Sequence, residues 1–306
     1  MPQEPSLADR TCLVTGGSSG IGYEIAKGLA ARGAQVVVAC RDRARGESSV
    51  ARMRRETGSE RVELLLADLS AFPSVRRMAR DVLRRYPALH LLVNNAGVFR
   101  RHCELSEDGF ESTFATNHLG PYLLTRLLLE RLRASAPARI VNLTSDLHRR
   151  ASLDLDDPLD DPKGGPRYRS MAAYGRSKLA NLLFTRELAR RLAGSQVDVN
   201  AVHPGGVATR IGQGDGGWVA LLFRLGRPFL LRPEQGADTP LWLATSDELA
   251  GESGLYFIRR KRVEPSAAAR DDRLARELWE RSAKWVGLDP DEPSATESQD
   301  PRDGAE

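Results

Sequence analysis

Residues 11–22 read Thr-Cys-Leu-Val-Thr-Gly-Gly-Ser-Ser-Gly-Ile-Gly, and an amphipathic helix pattern follows over 20–32, closed by Gly33. A five-residue apolar run has the length of a buried strand, and the glycines after it mark a tight turn into the helix. Without side chains at the turn, backbone N–H groups can approach a pyrophosphate closely, and the helix N-terminus adds partial positive charge. A glycine cluster could precede any helix; its place in the first strand-to-helix turn is what makes it a dinucleotide-binding signal. Thr15, Gly16, Ser18, Ser19, Gly20, Ile21 and Gly22 are the contacts expected there.

Further along the chain, apolar runs at 36–39, 62–66, 89–93, 140–143 and 197–202 alternate with helix-length stretches such as 44–55 and 73–85. Such alternation reads as repeated βαβ units, hence an α/β fold of the Rossmann type: a doubly wound parallel sheet with helices on both faces. Residues 11–286 form the expected single domain. Residues 1–10 are expected to be a flexible N-terminus, 146–169, with LDLDDPLDDPKGGP at 153–166, a long surface loop, and 287–306 a disordered acidic tail. Residues 212–232 hold glycines and then WVALLFRLGRPFLL, which reads as a lid over an apolar pocket or as an interfacial helix.

The end of the second strand bears on the cofactor. A site for NAD calls for a carboxylate about 20 residues past the glycines, to bond the adenosine ribose. That place holds Cys40, followed by Arg41 and Arg43. A guanidinium suits a 2′-phosphate, so NADP (NADPH) is favoured over NAD.

Tyr174 and Lys178 stand four apart in a helical segment, so a phenol and an ammonium can share one face and one cleft. A nearby ammonium favours the phenolate, which would draw the phenol below its ordinary pKa. Ser145 lies just past the fifth strand, at the edge where open α/β sheets bind ligands. Asn117 sits inside a long helical region, where asparagine is mildly unfavourable.

Taken together, TGGSSGIG, Asp68-Leu69, Asn94-Asn95-Ala96-Gly97, Asn117, Ser145, Tyr174 with Lys178, and His203-Pro204-Gly205 resemble the short-chain dehydrogenase/reductase family. VVVACRDRARGE, TNHLGPYLLTRLLL, YGRSKLANLLFTRELARRL and AAARDDRLARELWERSAKWVGL are similar to its retinol-dehydrogenase-like branch. The resemblance implies seven parallel strands in the order 3-2-1-4-5-6-7 and a catalytic tetrad of Asn117, Ser145, Tyr174 and Lys178. It also implies cofactor contacts from Asp68, Leu69, Asn95, Ala96, Gly97, Tyr174, Lys178, Pro204, Gly205, Val207 and Thr209. The activity implied is interconversion of a carbonyl and an alcohol on a lipophilic substrate, either a retinoid or another aldehyde or ketone. A homodimer or tetramer is usual in the family. A cofactor-binding regulatory protein with the same fold is the alternative, and a sugar-nucleotide epimerase fits the glycine spacing poorly.

Composition bounds the remaining classes. Among 306 residues, 41% are hydrophobic and 28% charged, which allows a sizeable core. The net charge of +4 is scattered rather than gathered into a basic patch with aromatics, so no nucleic-acid partner is expected. Three widely spaced cysteines, with no CxxC pair, fit neither a disulfide framework nor a zinc site; they point to a reducing, cytoplasmic setting. No transmembrane segment is expected, although the lid leaves peripheral membrane contact open. The aspartates of 154–161 lack the glycine and distal glutamate of a calcium loop, so no metal is expected.

Overall fold

The computed structural model describes residues 6–156, 168–207 and 231–291. The strands are β1 (Thr11–Thr15), β2 (Gln35–Cys40), β3 (Val62–Leu66), β4 (Leu91–Asn94), β5 (Ala138–Leu143), β6 (Val197–His203), β7 (Tyr256–Ile258) and β8 (Lys261–Arg262). The helices are α1 (Gly20–Ala31), α2 (Arg43–Thr57), α3 (Phe72–Arg85), α4 (Ser112–Phe114), α5 (Gly120–Ala134), α6 (Ser170–Arg191), α7 (Pro233–Thr245) and α8 (Asp272–Trp285). One sheet runs in the order β3-β2-β1-β4-β5-β6-β7-β8, parallel through β7. The order reverses beside β1, and this opens a crevice between the C-terminal ends of β1 and β4.

Each central strand is buried on both faces, as a parallel sheet requires. Along β2, Val37 and Ala39 join the core beneath α3, α5, α6 and α8, while Val36 and Val38 join the core beneath α1, α2 and α7. The first core also holds an aromatic knot around α8. Trp279 packs against Tyr122 and Phe184, with the Arg126 and Arg191 guanidiniums 4.9 and 4.6 Å from its ring centroid.

The expected seven-strand order is present, with one addition. β8 returns antiparallel to β7 through Arg259 and Arg260, both left-handed at φ 51 and 58. Such a turn ordinarily announces itself by Asn-Gly, so two arginines gave no signal. Here tertiary contacts hold it: Arg260 pairs with Asp238 and its N–H donates to Thr239 Oγ1 at 3.2 Å.

Both ends of the domain are longer than expected. Of the supposed flexible N-terminus, Leu7 N–H donates to Arg32 O at 2.9 Å and Arg61 donates to Ala8 O. Residues 287–291 fall within the expected tail, yet Arg126 donates to Asp289 O at 2.7 Å and Trp279 Nε1 to Pro290 O at 3.0 Å. Buried arginine and indole donors thus order this segment, together with Leu288 against the core and Asp291 paired with Arg191. The first part of the supposed surface loop is likewise built in: Asp146–Arg150 forms a 3-10 turn with His148 fully buried, and Leu155 joins the core. The remainder of that loop, most of the expected lid and residues 292–306 lie outside the described residues.

Candidate functional site

A cleft of about 410 Å³ lies at the C-terminal ends of β1, β2, β4 and β5, and the glycine turn forms one wall of it. Gly16 and Gly20 take φ of +66 and +57, a region in which side chains are strained. At Gly22 a Cβ would stand 2.5 Å from the Gly16 carbonyl oxygen, so the turn and helix touch only because that side chain is missing. Ser19, the N-cap of α1, makes no side-chain cap, and the first turn carries no acidic residue. The N–H groups that open α1 therefore lack an anion within the helix itself.

Thr15 and Asn95 brace this turn from the next strand. Thr15 Oγ1 donates to Val93 O at 3.2 Å and accepts from the N–H groups of Asn95 and Ala96 at 3.0 and 3.1 Å. Asn95 Nδ2 donates to Thr15 O at 2.7 Å. Thr15→Val keeps the shape and strands two amides, so stability should fall by about 1–3 kcal/mol. A urea midpoint equal to that of the parent would contradict this account of the turn.

At the end of the cleft beside the start of α2 the lining includes Ser18, Ile21, Cys40, Arg41, Asp68 and Leu69. Arg41 Nη1 lies 3.6 Å from Asp68 Oδ2, the arginine exposed and the aspartate half-buried. The other Asp68 oxygen accepts from Ser70 N and Oγ at 2.9 and 2.6 Å, so half of this carboxylate shapes its loop. Sequence reasoning passed over Asp42 and Arg45, which also line the cleft. Asp42 Oδ1 accepts from Arg45 N–H at 2.9 Å as the N-cap of α2, which occupies the one acid in the Arg41–Arg45 segment. The motif Asp-x-x-Arg before a helix was the signal that could have found it.

At the other end, α6 presents Tyr174 and Lys178 to the same cleft, with Lys178 Nζ 5.5 Å from the centroid of the Tyr174 ring. Lys178 Nζ donates to Leu143 O at 3.2 Å, and Thr144 Oγ1 donates to Lys178 O at 2.9 Å, which pins α6 to the end of β5. Burial pushes the Tyr174 phenol up to about 12 and the Lys178 ammonium down to about 8. This corrects the expectation of an acidified phenol. Desolvation disfavours both charged forms, the phenolate and the ammonium. At neutral pH the pair therefore stands as phenol and ammonium.

Asn117 and Ser145, the other two residues of the expected tetrad, do not line the cleft itself. Asn117 is fully buried in a π-helical turn, Ala115–Leu119, that joins α4 to α5. Its Oδ1 accepts from Val98 N–H at 2.7 Å, and its Nδ2 donates to Val98 O at 3.0 Å and Ser177 Oγ at 3.0 Å. A Cβ on Gly97 would be 3.4 Å from Asn117 Oδ1 and 3.5 Å from Lys178 Nζ, which puts that glycine between the two. Ser145 Oγ accepts from Leu147 N–H at 3.3 Å, leaving its own proton free to be donated.

Of the 203–209 loop, Pro204 lines the cleft. Gly205 takes φ +90, and Val207 bridges Leu231; Thr209 lies outside the described residues. Half-buried His203 has its pKa lowered by burial, so it is neutral near pH 7. Phe99, whose ring stands edge-on to Tyr174 at 5.8 Å, also lines the cleft, and no sequence pattern pointed to it. No group of three metal-ligating side chains occurs among the described residues, and no described helix is long and apolar enough to cross a membrane.

A family model described as short chain dehydrogenase matches residues 10–153 and 162–218. Retinol dehydrogenase 12 of Mus musculus is 45% identical over 282 residues, which cover 92% of this chain and 88% of that protein. Dehydrogenase/reductase SDR family member 13 of Bos taurus is 44% identical over 289 residues, 94% of this chain and 76% of that protein. Among solved structures, the RhlG/NADP active-site complex of Pseudomonas aeruginosa superimposes with a TM-score of 0.64 at 30% identity, covering 82% of this chain and 95% of the other.

Proposed function

The chain belongs to the short-chain dehydrogenase family and is an NAD(P)-dependent oxidoreductase acting on CH–OH groups; from that premise we propose that it uses NADP(H) and interconverts the carbonyl and alcohol of a lipophilic substrate. The observation that carries this reading is the single cleft in which the uncapped start of α1 and the Tyr174–Lys178 pair face the same space.

The residues present fit a dinucleotide. The N–H groups opening α1 and the glycine turn would hold its pyrophosphate, and Arg41 and Arg45 the adenosine end. Asp68, Leu69, Asn95, Ala96 and Gly97 would line its middle, and Lys178, Pro204, Gly205, Val207 and Thr209 the nicotinamide end. When bound, the cofactor supplies or accepts the hydride.

The protein's own part concerns the proton. With its phenol held near 12, Tyr174 keeps its proton at pH 7 and donates it to the carbonyl oxygen during reduction. Ser145, its Oγ oriented by the Leu147 N–H, donates to the same oxygen and stabilises the charge that develops there. Lys178 stabilises the phenolate left behind from one helical turn away. Asn117 holds the 97–98 segment against α6 and so fixes the floor beneath both.

The preference for NADP rests on Arg41 and Arg45 at the adenosine end, where the only acid of that segment, Asp42, is committed to capping α2. Arg41→Ala should raise the NADPH KM by about 10- to 100-fold, as expected for a lost charge-assisted hydrogen bond, while leaving NADH nearly unaffected. Equal effects on both cofactors would sink the assignment of Arg41 to the 2′-phosphate. The lipophilic substrate is supported by relatives named for retinol. Its test is NADPH turnover over a panel of aliphatic, aromatic and retinoid aldehydes; a folded protein idle on all of them refutes the reading. Three free cysteines suit a reducing compartment, which supports the cytoplasm as the proposed setting.

A further inference from the structure

The turn that follows Ser145 contains an imidazole that the reaction does not itself require. His148 is 0% exposed and makes two hydrogen bonds to main chain far apart in sequence. Its Nδ1 lies 2.7 Å from the Ser145 carbonyl oxygen, and its Nε2 accepts from the Ser266 N–H at 3.2 Å. A backbone N–H can only donate, so Nε2 carries no proton; a carbonyl can only accept, so Nδ1 carries it. Both partners thus select the same neutral tautomer, and an imidazolium would point a second N–H at the Ser266 amide. Burial lowers the His148 pKa in the same sense, against the opposing pull of the Ser145 carbonyl. The ring edge rests against the Tyr256 ring, with centroids 5.2 Å apart and planes at 85°, which leaves it one orientation.

The consequence falls on Ser145. Its backbone is extended, φ −150 and ψ 151, as it leaves β5 to cap the 3-10 turn. Its carbonyl accepts from both the His148 N–H, at 3.2 Å, and the ring. The direction of the Ser145 hydroxyl is set by that peptide and by the Leu147 amide. Alongside the imidazole, Arg149 Nη2 donates to Glu264 O at 2.9 Å, so the same turn is stitched twice to the segment after β8.

We propose that His148 is a positioning residue: through the Ser145 carbonyl and the Ser266 amide it fixes the turn that aims the Ser145 hydroxyl, and so makes carbonyl reduction depend on the 264–266 segment. This inference rests on the assignment of Ser145 given above. A fixed donor turned by a fraction of an ångström no longer meets the developing charge.

Four proteins test it: wild type, His148→Ala, His148→Asn and His148→Gln, each assayed with NADPH and the aldehyde panel. An asparagine Nδ2 stands near the position of the ring Nδ1 and can donate to Ser145; a glutamine amide stands near Nε2 and serves Ser266 alone. Alanine should lower kcat roughly 10- to 100-fold, with the NADPH Kd changed by no more than about twofold. Asparagine should restore most of kcat, and glutamine little. Alanine at the wild-type kcat overturns the inference, as do asparagine and glutamine impaired equally and in step with lost thermal stability. Long-range ¹⁵N correlation of the wild-type ring reads the tautomer without turnover, and an Nε2–H form overturns the inference even if no variant folds. A wild type idle on every aldehyde sinks the functional reading, whereas an active wild type with indifferent variants sinks only this one.

Discussion

Tyr174→Phe is expected to lower kcat for aldehyde reduction by about 10²–10⁴-fold, the range that a positioned general acid contributes. The substitution removes only the hydroxyl. The ring would keep its edge contact with Phe99 and its place beside Lys178, so NADPH affinity should stay within about twofold. Steady-state kinetics with a cofactor titration by fluorescence separates the two quantities. A variant that reduces aldehydes as fast as its parent would move the protein to the alternative class, a cofactor-binding protein that retains the fold with little catalysis.

Lys178→Met should match that loss and also alter the pH profile. Burial brings the Lys178 ammonium down to about 8, so the cation is present below that pH and vanishes above it. If the charge stabilises the phenolate as Tyr174 gives up its proton, kcat/KM for reduction falls as pH rises through about 8 in the wild type. The kcat/KM profile reports ionisations of the free enzyme, the state to which this value refers. In the methionine variant activity is low throughout and that alkaline limb is gone. A limb that persists unchanged in Lys178→Met assigns the ionisation to another group. The sign distinguishes this from Tyr174, whose phenol, near 12, keeps its proton over the same window.

Much of this was legible in the chain because a buried parallel strand and a dinucleotide turn both have local signatures. Thr11–Thr15 and Val62–Leu66 were read to the residue, and the glycines identified the wall of the cleft that most needs a bare backbone. Arg41, Asp68, Asn95, Tyr174 and Lys178 carry sequence signals of their own, and they line one cleft. Other features carried no local signature. β7 and β8 are three and two residues long, below the length at which periodicity can speak, and Arg-Arg hides the turn between them. Asp42 and Arg45 were passed over, because the Asp42 cap on α2 shows only in the folded turn.

What the residues alone determined, then, is the sheet, the crevice at its reversal and the chemistry at either end, because each follows from period, backbone freedom and side-chain type within a few positions. The proton state of the Tyr174–Lys178 pair belonged to the tertiary structure, since desolvation is set by everything packed around α6 and not by the four-residue spacing. So did the bracing of Thr15 by β4 and the orientation of Ser145 by a histidine whose other partner lies 118 residues away. Hydrogen bonds of that reach form only after the chain has folded, and no window of sequence contains both of their ends.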